Sequence, residues 1–598
     1  MHNSSKFIVF QVFVSIAFIV LLGRFYYVQI LESDLYLQAS ERNRIRHISI
    51  EPTRGLILDR NGKILVDNKP SYSVYAIPNE IQNLGYTFEM LAKILDKKPS
   101  DLQRLYKRRR RGPFQRIKLA RDIGFDKLAW LEEKRLDLPG IVTDTTPRRF
   151  YPSNVLAPHL FGYISEISER ELKKYDDGEY ESGDVIGIKG IEKVYEKHLR
   201  GEDGYRFVEV DARGKEVKVL KELGGKQPRP GKDVVLSIDS PLQEYLEMEM
   251  MGKRGGAVVL NCKNGQVIAL VSKPDYDPEI FTRRIPQDVW DTLNDRETRP
   301  LYDRMIQGLY PPGSTYKIVS VIAGLETKAF DPEQGIFCRG YFRLGVGRFG
   351  CWKKGGHGMV NLRQSVEQSC NVYFYRTISK IGLAEWVRFS SLFRFGKKTG
   401  TDLYGESRGL LPDQAYLDRR FGKGKWSRGL LLNLTIGQGD LLATPLQMAF
   451  FAMSVANKGR SFRPYIGMRI IDPALESNNI QEILPDTVRI EGISDETWQF
   501  VHESMKDVVH GVKGTAKAAN PGQIHVAGKT GTAQAPSGND HAWFIGFAPV
   551  EDPQVAFAIL LENGGGGGRN SAPIAGGLLK LLLKSGKINI PQRFAAVK

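Results

Sequence analysis

The sequence predicts a chain of mixed helix and strand, α/β in the broad α+β sense, carried on one N-terminal membrane helix. Three observations predict it. Residues 7–23 are apolar except for Gln11 and Ser15. Runs of strand-forming residues recur in closely spaced sets near the middle and the end of the chain. Two matches to a helix-capping box with proline at the first helical position, Ser240-Pro-Leu-Gln243 and Thr444-Pro-Leu-Gln447, stand on either side of the middle set.

The elements follow in order. After Arg24 the apolar segment continues Phe-Tyr-Tyr-Val-Gln-Ile to residue 30. Its aromatic end suits a membrane interface. A cleaved signal peptide would need small residues after the apolar core, and Arg24-Phe-Tyr-Tyr supplies none. The expectation is an uncleaved anchor over 7–30 behind a tail of residues 1–6. At 598 residues the rest is too long for one ordinary domain. Residues 31–235 read as a mixed α/β region. In it, the extended run from Pro52 closes on the Asn61-Gly62 hairpin signal. Arg54, Asp59 and Glu192 read as structural ion pairs, and Lys107–Arg111 as an exposed helix end or loop. Residues 236–590 form the second domain, with a tail at 591–598. The second domain should hold a strand pair, 256–260 and 266–271, turning at Lys263-Asn264-Gly265. Three consecutive antiparallel strands should follow at 525–534, 541–548 and 555–562. The glycine run 564–568 lacks the Lys-Ser/Thr ending of a phosphate loop and reads as a flexible turn before a helix from about Ala572.

Charge and cysteine content narrow the function. The net charge of +17 fits anionic headgroups or phosphate-bearing precursors, and an extracytoplasmic chain has no nucleic acid to bind. Four cysteines are too few for a disulfide scaffold.

Chemistry is concentrated in three fragments. Tyr310-Pro-Pro-Gly-Ser314-Thr-Tyr-Lys317 ends one element and opens a helix, with Ile318, Val319, Ile322 and Leu325 on its buried face. Ser314 and Lys317 lie three apart, on one face of the first turn. A desolvated lysine can take a serine's proton. Alone, such a pair is more often an N-cap serine and a surface lysine. Here Ser369-Cys370-Asn371 follows 55 residues after Ser314, and Lys529-Thr530-Gly531-Thr532 lies near the C-terminus. Serine-x-x-lysine, serine-x-asparagine and lysine-Thr-Gly, in this order, resemble the signature of the penicillin-binding proteins, with Cys370 replacing the usual Asp.

The resemblance extends along the chain. Arg54-Gly55 with Asp59-Arg60-Asn61-Gly62, then Arg148-Arg149-Phe-Tyr-Pro and Gly187–Tyr195, look like motifs of the class B pedestal. No stretch before Ser314 looks like a glycosyltransferase domain. The fragments around Tyr310, Cys351–Gly358 and Asp540–Phe547 look most like the elongation-type branch, with the division-type branch as near alternative. The resemblance implies a transpeptidase domain with an antiparallel sheet flanked by helices. It implies Ser314 as nucleophile, Lys317 as its base, Ser369 as proton relay and Asn371 as holder of the substrate amide. Lys529, on an edge strand, would attract the substrate carboxylate and depress Lys317. Thr530 and Thr532 would bond that carboxylate, and Gly531 would let backbone approach the substrate. The N–H groups of Ser314 and Thr532 would form the oxyanion hole. No catalytic cofactor is implied. The implied substrate is a peptidoglycan stem peptide ending in D-Ala-D-Ala, cross-linked to an acceptor amine, with β-lactams as acylating mimics. Implied partners are a glycosyltransferase of the shape, elongation, division and sporulation family and scaffold proteins of the elongation complex. Everything after residue 30 would lie outside the cytoplasmic membrane. A D,D-carboxypeptidase, a β-lactam hydrolase and a sensor are the rival activities.

Cys338, Cys351, His357 and Cys370 form a separate cluster. Three of the four cysteines fall within 33 residues, among many glycines. Cys3His is a common structural zinc set, and a glycine-rich loop needs a staple. A Cys338–Cys351 disulfide, or three small buried residues, would compete with it. Cys262 should stand outside the cluster.

Overall fold

The computed structural model describes residues 4–34, 45–110, 112–113, 115–175, 179–210, 216–282, 285–475 and 479–590. Residues 1–3 of the first tail, Arg111 and the tail at 591–598 lie outside them. The chain forms two compact units.

One unit gathers Met1–Arg54, Pro70–Arg148 and Gly201–Gly231. It begins with a helix, Ser4–Tyr26, that runs into a π-helical turn, Tyr27–Leu31. The 25 residues Phe7–Leu31 are long and apolar enough to cross a membrane, and none of the span is buried. Strand Gly204–Val210 pairs antiparallel with Ile45–Ile50 on one side and with Glu216–Val219 and Gly225–Lys226. A second core forms where helices Leu84–Leu95 and Pro99–Arg109 bury Phe88, Leu91 and Leu102 with Leu119 of strand Ile117–Ile123. The cationic run ends the second of these helices, with Lys107, Arg108 and Arg110 exposed.

The other unit gathers Gly55–Lys69, Arg149–Arg200 and Lys232–Lys598. Its central sheet has five antiparallel strands in the order Val267–Lys273, Gly255–Asn261, Val555–Leu561, His541–Ala548, Ala527–Ala533. The last three are consecutive in sequence, as expected. Every residue of His541–Ala548 and Val555–Leu561 is buried, so both faces of the sheet are covered. Helix Pro445–Ala456, buried along its whole length, packs on the middle strands. Helices Ser240–Glu249 and Ala572–Lys584 pack on each other and on the sheet.

Two local expectations hold and three need correction. Thr444 and Gln447 form the reciprocal capping box. Ser240 does not cap its helix: Asp239 accepts from the Leu242 N–H, and the Ser240 hydroxyl donates to Asp59 Oδ2 at 2.8 Å. Asp59 is no ion pair either. Its other oxygen accepts from the N–H groups of Asn61 and Lys63, so it braces the hairpin turn. Glu192 does pair, with Arg149 at 2.7 Å, both fully buried. The glycine run is not simply a turn. Gly567–Asn570 is helical, and a Cβ on Gly567 would lie 2.0 Å from the Trp543 carbonyl oxygen.

Candidate active site

Main-chain packing places Ser314. The Tyr310 hydroxyl donates to Glu562 Oε1 (2.6 Å), which also accepts from Arg304 Nε (2.8 Å). Trp543 Nε1 donates to the Pro311 carbonyl (3.0 Å). Gly313 then adopts φ +58°, where a side chain would be strained, and its N–H donates to the Gly437 carbonyl at 2.8 Å. The spacing predicted a helix starting at Ser314. Instead Gly313–Tyr316 is a 3-10 turn, and the α-helix is Lys317–Glu326. The Thr315 hydroxyl bonds back to the Pro312 carbonyl (2.6 Å), which stabilises the tighter turn. Ser314 is half-buried, and its hydroxyl has no hydrogen-bond partner among the described residues.

Lys317 is fully buried and reaches the second fragment. Its Nζ donates to Asn371 Oδ1 (2.7 Å), to the Ser369 carbonyl (2.8 Å) and to Ser369 Oγ (3.2 Å). The expected bond to Ser314 is absent; such bonds often tighten only around substrate. Burial lowers the Lys317 pKa to about 8, against an opposing pull from the nearby thiol sulfurs. Ser369 sits at φ +55°, an unusual backbone for serine. That kink turns it toward the lysine just before helix Asn371–Thr377 begins.

Lys529 lies on Ala527–Ala533, the edge strand, as expected. It is also fully buried, with Nζ donating to the Thr530 carbonyl at 3.1 Å. Burial first, then the Lys317 charge, lowers its pKa well below the ordinary value. Two ammonium groups in so dry a cleft oppose each other, and neither has a carboxylate partner among the described residues. The Thr530 hydroxyl is shared with Thr515 (2.7 Å), whereas Thr532 is exposed. A Cβ on Gly531 would stand 3.0 Å from the Pro312 carbonyl oxygen and 2.9 Å from Trp543 Cβ. The visible role of this glycine is thus to let the serine turn lie against the strand.

The three cysteines and His357 converge. Their ligand atoms lie within 4.8 Å of one another, and none of the four cysteines is bridged. His357 Nδ1 is 3.6 Å from both Cys338 Sγ and Cys351 Sγ. A tetrahedral zinc with sulfur at about 2.3 Å and nitrogen at about 2.0–2.1 Å separates such atoms by about 3.6 Å. The donor set therefore fits zinc. The Cys351 pKa is lowered by hydrogen bonds from Cys370, His357 and the Asn371 N–H, which favours thiolate. Cys262 is buried elsewhere, in the turn between the paired strands.

Sequence reasoning missed the residues that hold these groups. Gly437 has no room for a side chain, since a Cβ would lie 2.2 Å from the Gly313 carbonyl oxygen. Gln438 Nε2 donates to the Thr532 carbonyl (3.3 Å). Asn371 Nδ2 donates to the Gly350 carbonyl (3.2 Å), and Trp352 Nε1 to the Gln368 carbonyl (3.0 Å). Gly437-Gln438-Gly439 was the one available signal, a turn just before the Thr444 cap.

Known proteins agree with this architecture. Residues 255–580 match the penicillin-binding protein transpeptidase domain, and 49–236 match the penicillin-binding protein dimerisation domain. The peptidoglycan D,D-transpeptidase MrdA of Acinetobacter baumannii is 35% identical over 573 residues, covering 93% of this chain and 84% of that protein. The penicillin-binding protein PBP2 of Helicobacter pylori, solved in complex with MreC, superposes with a TM-score of 0.77 at 29% identity, covering 91% of this chain and all of that one. A chain of a peptidoglycan synthase complex, described as coordinating polymerization and crosslinking, has a TM-score of 0.69 at 26% identity, covering 96% and 98%. With both domains matched in order and identity sustained over nearly the whole length, this chain belongs to the class B penicillin-binding proteins, in the PBP2 branch.

Proposed function

We propose that this chain is a peptidoglycan D,D-transpeptidase that cross-links stem peptides during cell elongation. The observation that carries the reading is the buried Lys317, bonded to Ser369 and Asn371 and opposed by Lys529. In its neutral form Lys317 takes the Ser314 hydroxyl proton as Oγ attacks the penultimate carbonyl of D-Ala-D-Ala. The N–H groups of Ser314 and Thr532 hold the oxyanion. The bond to the terminal D-Ala nitrogen breaks, and Ser369 relays the proton that this nitrogen takes. Asn371 holds the stem amide. Lys529, Thr530 and Thr532 hold the terminal carboxylate, which supplies the anion the two lysines lack. An acceptor amine then attacks the Ser314 ester, forms the new amide and frees Ser314. Water in place of the amine gives D,D-carboxypeptidase activity. Intact-mass spectrometry after penicillin treatment should show one adduct, absent from Ser314→Ala. Equal adduct in that variant overturns the assignment.

The same reading places 7–30 in the cytoplasmic membrane, with the pedestal at 31–235 and the transpeptidase domain at 236–590 outside it. It includes a glycosyltransferase of the shape, elongation, division and sporulation family, and scaffold proteins, as partners. The support is that solved relatives are held by MreC and within a synthase complex. Cys338, Cys351, His357 and Cys370 would hold one structural zinc, supported by the 3.6 Å spacings and by thiols left unbridged. Bound there, the metal would cross-link the loop to the Ser369–Asn371 segment. Stoichiometric zinc in the purified protein, with thiols reactive only after chelation, is the expected result. A Cys338–Cys351 disulfide without metal overturns it.

A further inference from the structure

Residues 339–354 carry a feature that the acyl-transfer chemistry does not use. Strands Tyr341–Leu344 and Gly347–Gly350 form a short hairpin. Three guanidinium groups crowd the Tyr341 ring: Arg348 at 4.1 Å from its centroid, Arg339 at 4.7 Å and Arg343 at 5.6 Å. Lys353 and Lys354 follow, and all five cations are exposed. None has a carboxylate within 4 Å among the described residues. A ring face attracts one cation, but three around one ring repel each other, and an anion is the remedy. The hairpin is also fixed in place. Phe342 and Phe349 pack on Tyr375 of the helix that starts at Asn371. The Gly350 carbonyl, at the hairpin's end, accepts from Asn371 Nδ2, while Asn371 Oδ1 accepts from Lys317. Two hydrogen bonds thus separate the arginine strand from the reacting end of the cleft.

We infer that Arg339, Arg343 and Arg348 form a subsite for a carboxylate of the stem peptide other than the terminal one. The inference rests on the transpeptidase reading and deepens it by naming what selects the peptide. A planar guanidinium fork matches a carboxylate with two parallel bonds, and ring stacking pre-orients it. A peptide whose amide is held by Asn371 would lie beside Gly350, the end of the hairpin that carries these forks. The five cations also raise the local concentration of an anionic peptide before it docks.

The test uses full-length protein in detergent and follows acylation by fluorescent penicillin. Two pentapeptides ending in D-Ala-D-Ala compete, one with a free glutamyl carboxylate and one with that carboxylate amidated. The acidic peptide should protect Ser314 roughly three- to fivefold better at low salt. Arg343→Gln with Arg348→Gln should erase the difference and leave the penicillin rate unchanged without peptide. Equal protection by the two peptides in the parent protein overturns the inference, as does a preference that survives the substitutions. Loss of the parent's preference on adding inorganic phosphate at the peptide's concentration also overturns it, because the forks then select phosphate. Failure of penicillin to acylate the peptide-free control would overturn the transpeptidase reading itself, so the two failures are distinguishable.

Discussion

Two buried charge clusters in the larger unit are built to opposite rules. Arg149 and Glu192 are fully buried, and each charge compensates the other. Arg149 Nε donates to Glu192 at 2.7 Å, and Nη1 donates to the Gly55 carbonyl (2.8 Å) and to Asn68 Oδ1 (3.2 Å). Lys317 and Lys529 are as deeply buried, but neither has a carboxylate partner among the described residues, and the Lys317 charge works against the Lys529 ammonium. The first cluster ties together chain segments far apart in sequence. The second opposes its own ionisation, which a fold would not keep for stability. Charge buried with its partner is architecture; charge buried against its like is stored reactivity.

The largest expected effect lies on the reactive side. Lys317→Met should lower penicillin acylation by about a thousandfold or more, since members of such a set act as a unit. Its melting temperature should not fall, because an apolar side chain replaces an uncompensated cation. A large loss of stability would erase the contrast. On the architectural side, Arg149→Met removes the 2.7 Å bond to the buried Glu192 and should cost about 3–5 kcal/mol in denaturant unfolding. Acylation per folded molecule should stay near that of the parent. Arg149→Met with Glu192→Leu should cost less than the single change.

pH sharpens the comparison with a smaller signal. Burial lowers the Lys317 pKa in the folded protein to about 8, below its ordinary 10.5. Below pH 8 both states hold the proton, and the burial cost is fully present. Between pH 8 and 10.5 the unfolded chain binds more protons, so the Lys317 contribution to stability rises with pH. Acylation should rise over the same lower limb, through about pH 8, as the neutral amine forms. A flat profile through pH 8 counts against Lys317 as the base. Smallest of the four, Gly531→Ala should slow acylation about tenfold by pushing the serine turn off the strand. Acylation at the parent rate would show that the turn can yield.

The three fragments that converge on Lys317 were legible because each is a compact group of residues with a chemical reason for its spacing. The last two C-terminal strands were legible because continuous apolar runs mark strands covered on both faces. What was illegible depends on partners far away in sequence. Ser240 looks like a cap, but Asp59 takes its hydroxyl across 181 positions. Asp59 looks like half of an ion pair, and backbone N–H groups claim it. Gly531 looks like a place for substrate, and Pro312 and Trp543 crowd it. Gly437-Gln438-Gly439 announces only a turn, because the tightest constraint on Gly437 is the distant Gly313 backbone.

Gly313, Gly437 and Gly531 come from three distant segments and meet around one serine. At these three positions the turn that carries Ser314 is packed so closely that a methyl group has no room, much of the contact being with main chain. For a cell under antibiotic pressure this removes a route of escape. With Ser314 as the proposed nucleophile, a methyl at any of the three would displace it from drug and from wall peptide alike, and discrimination between them would have to be found at the rim of the cleft. Sequencing of β-lactam survivors should return these three glycines unchanged, with substitutions gathered where side chains, not backbone, line the path to Ser314.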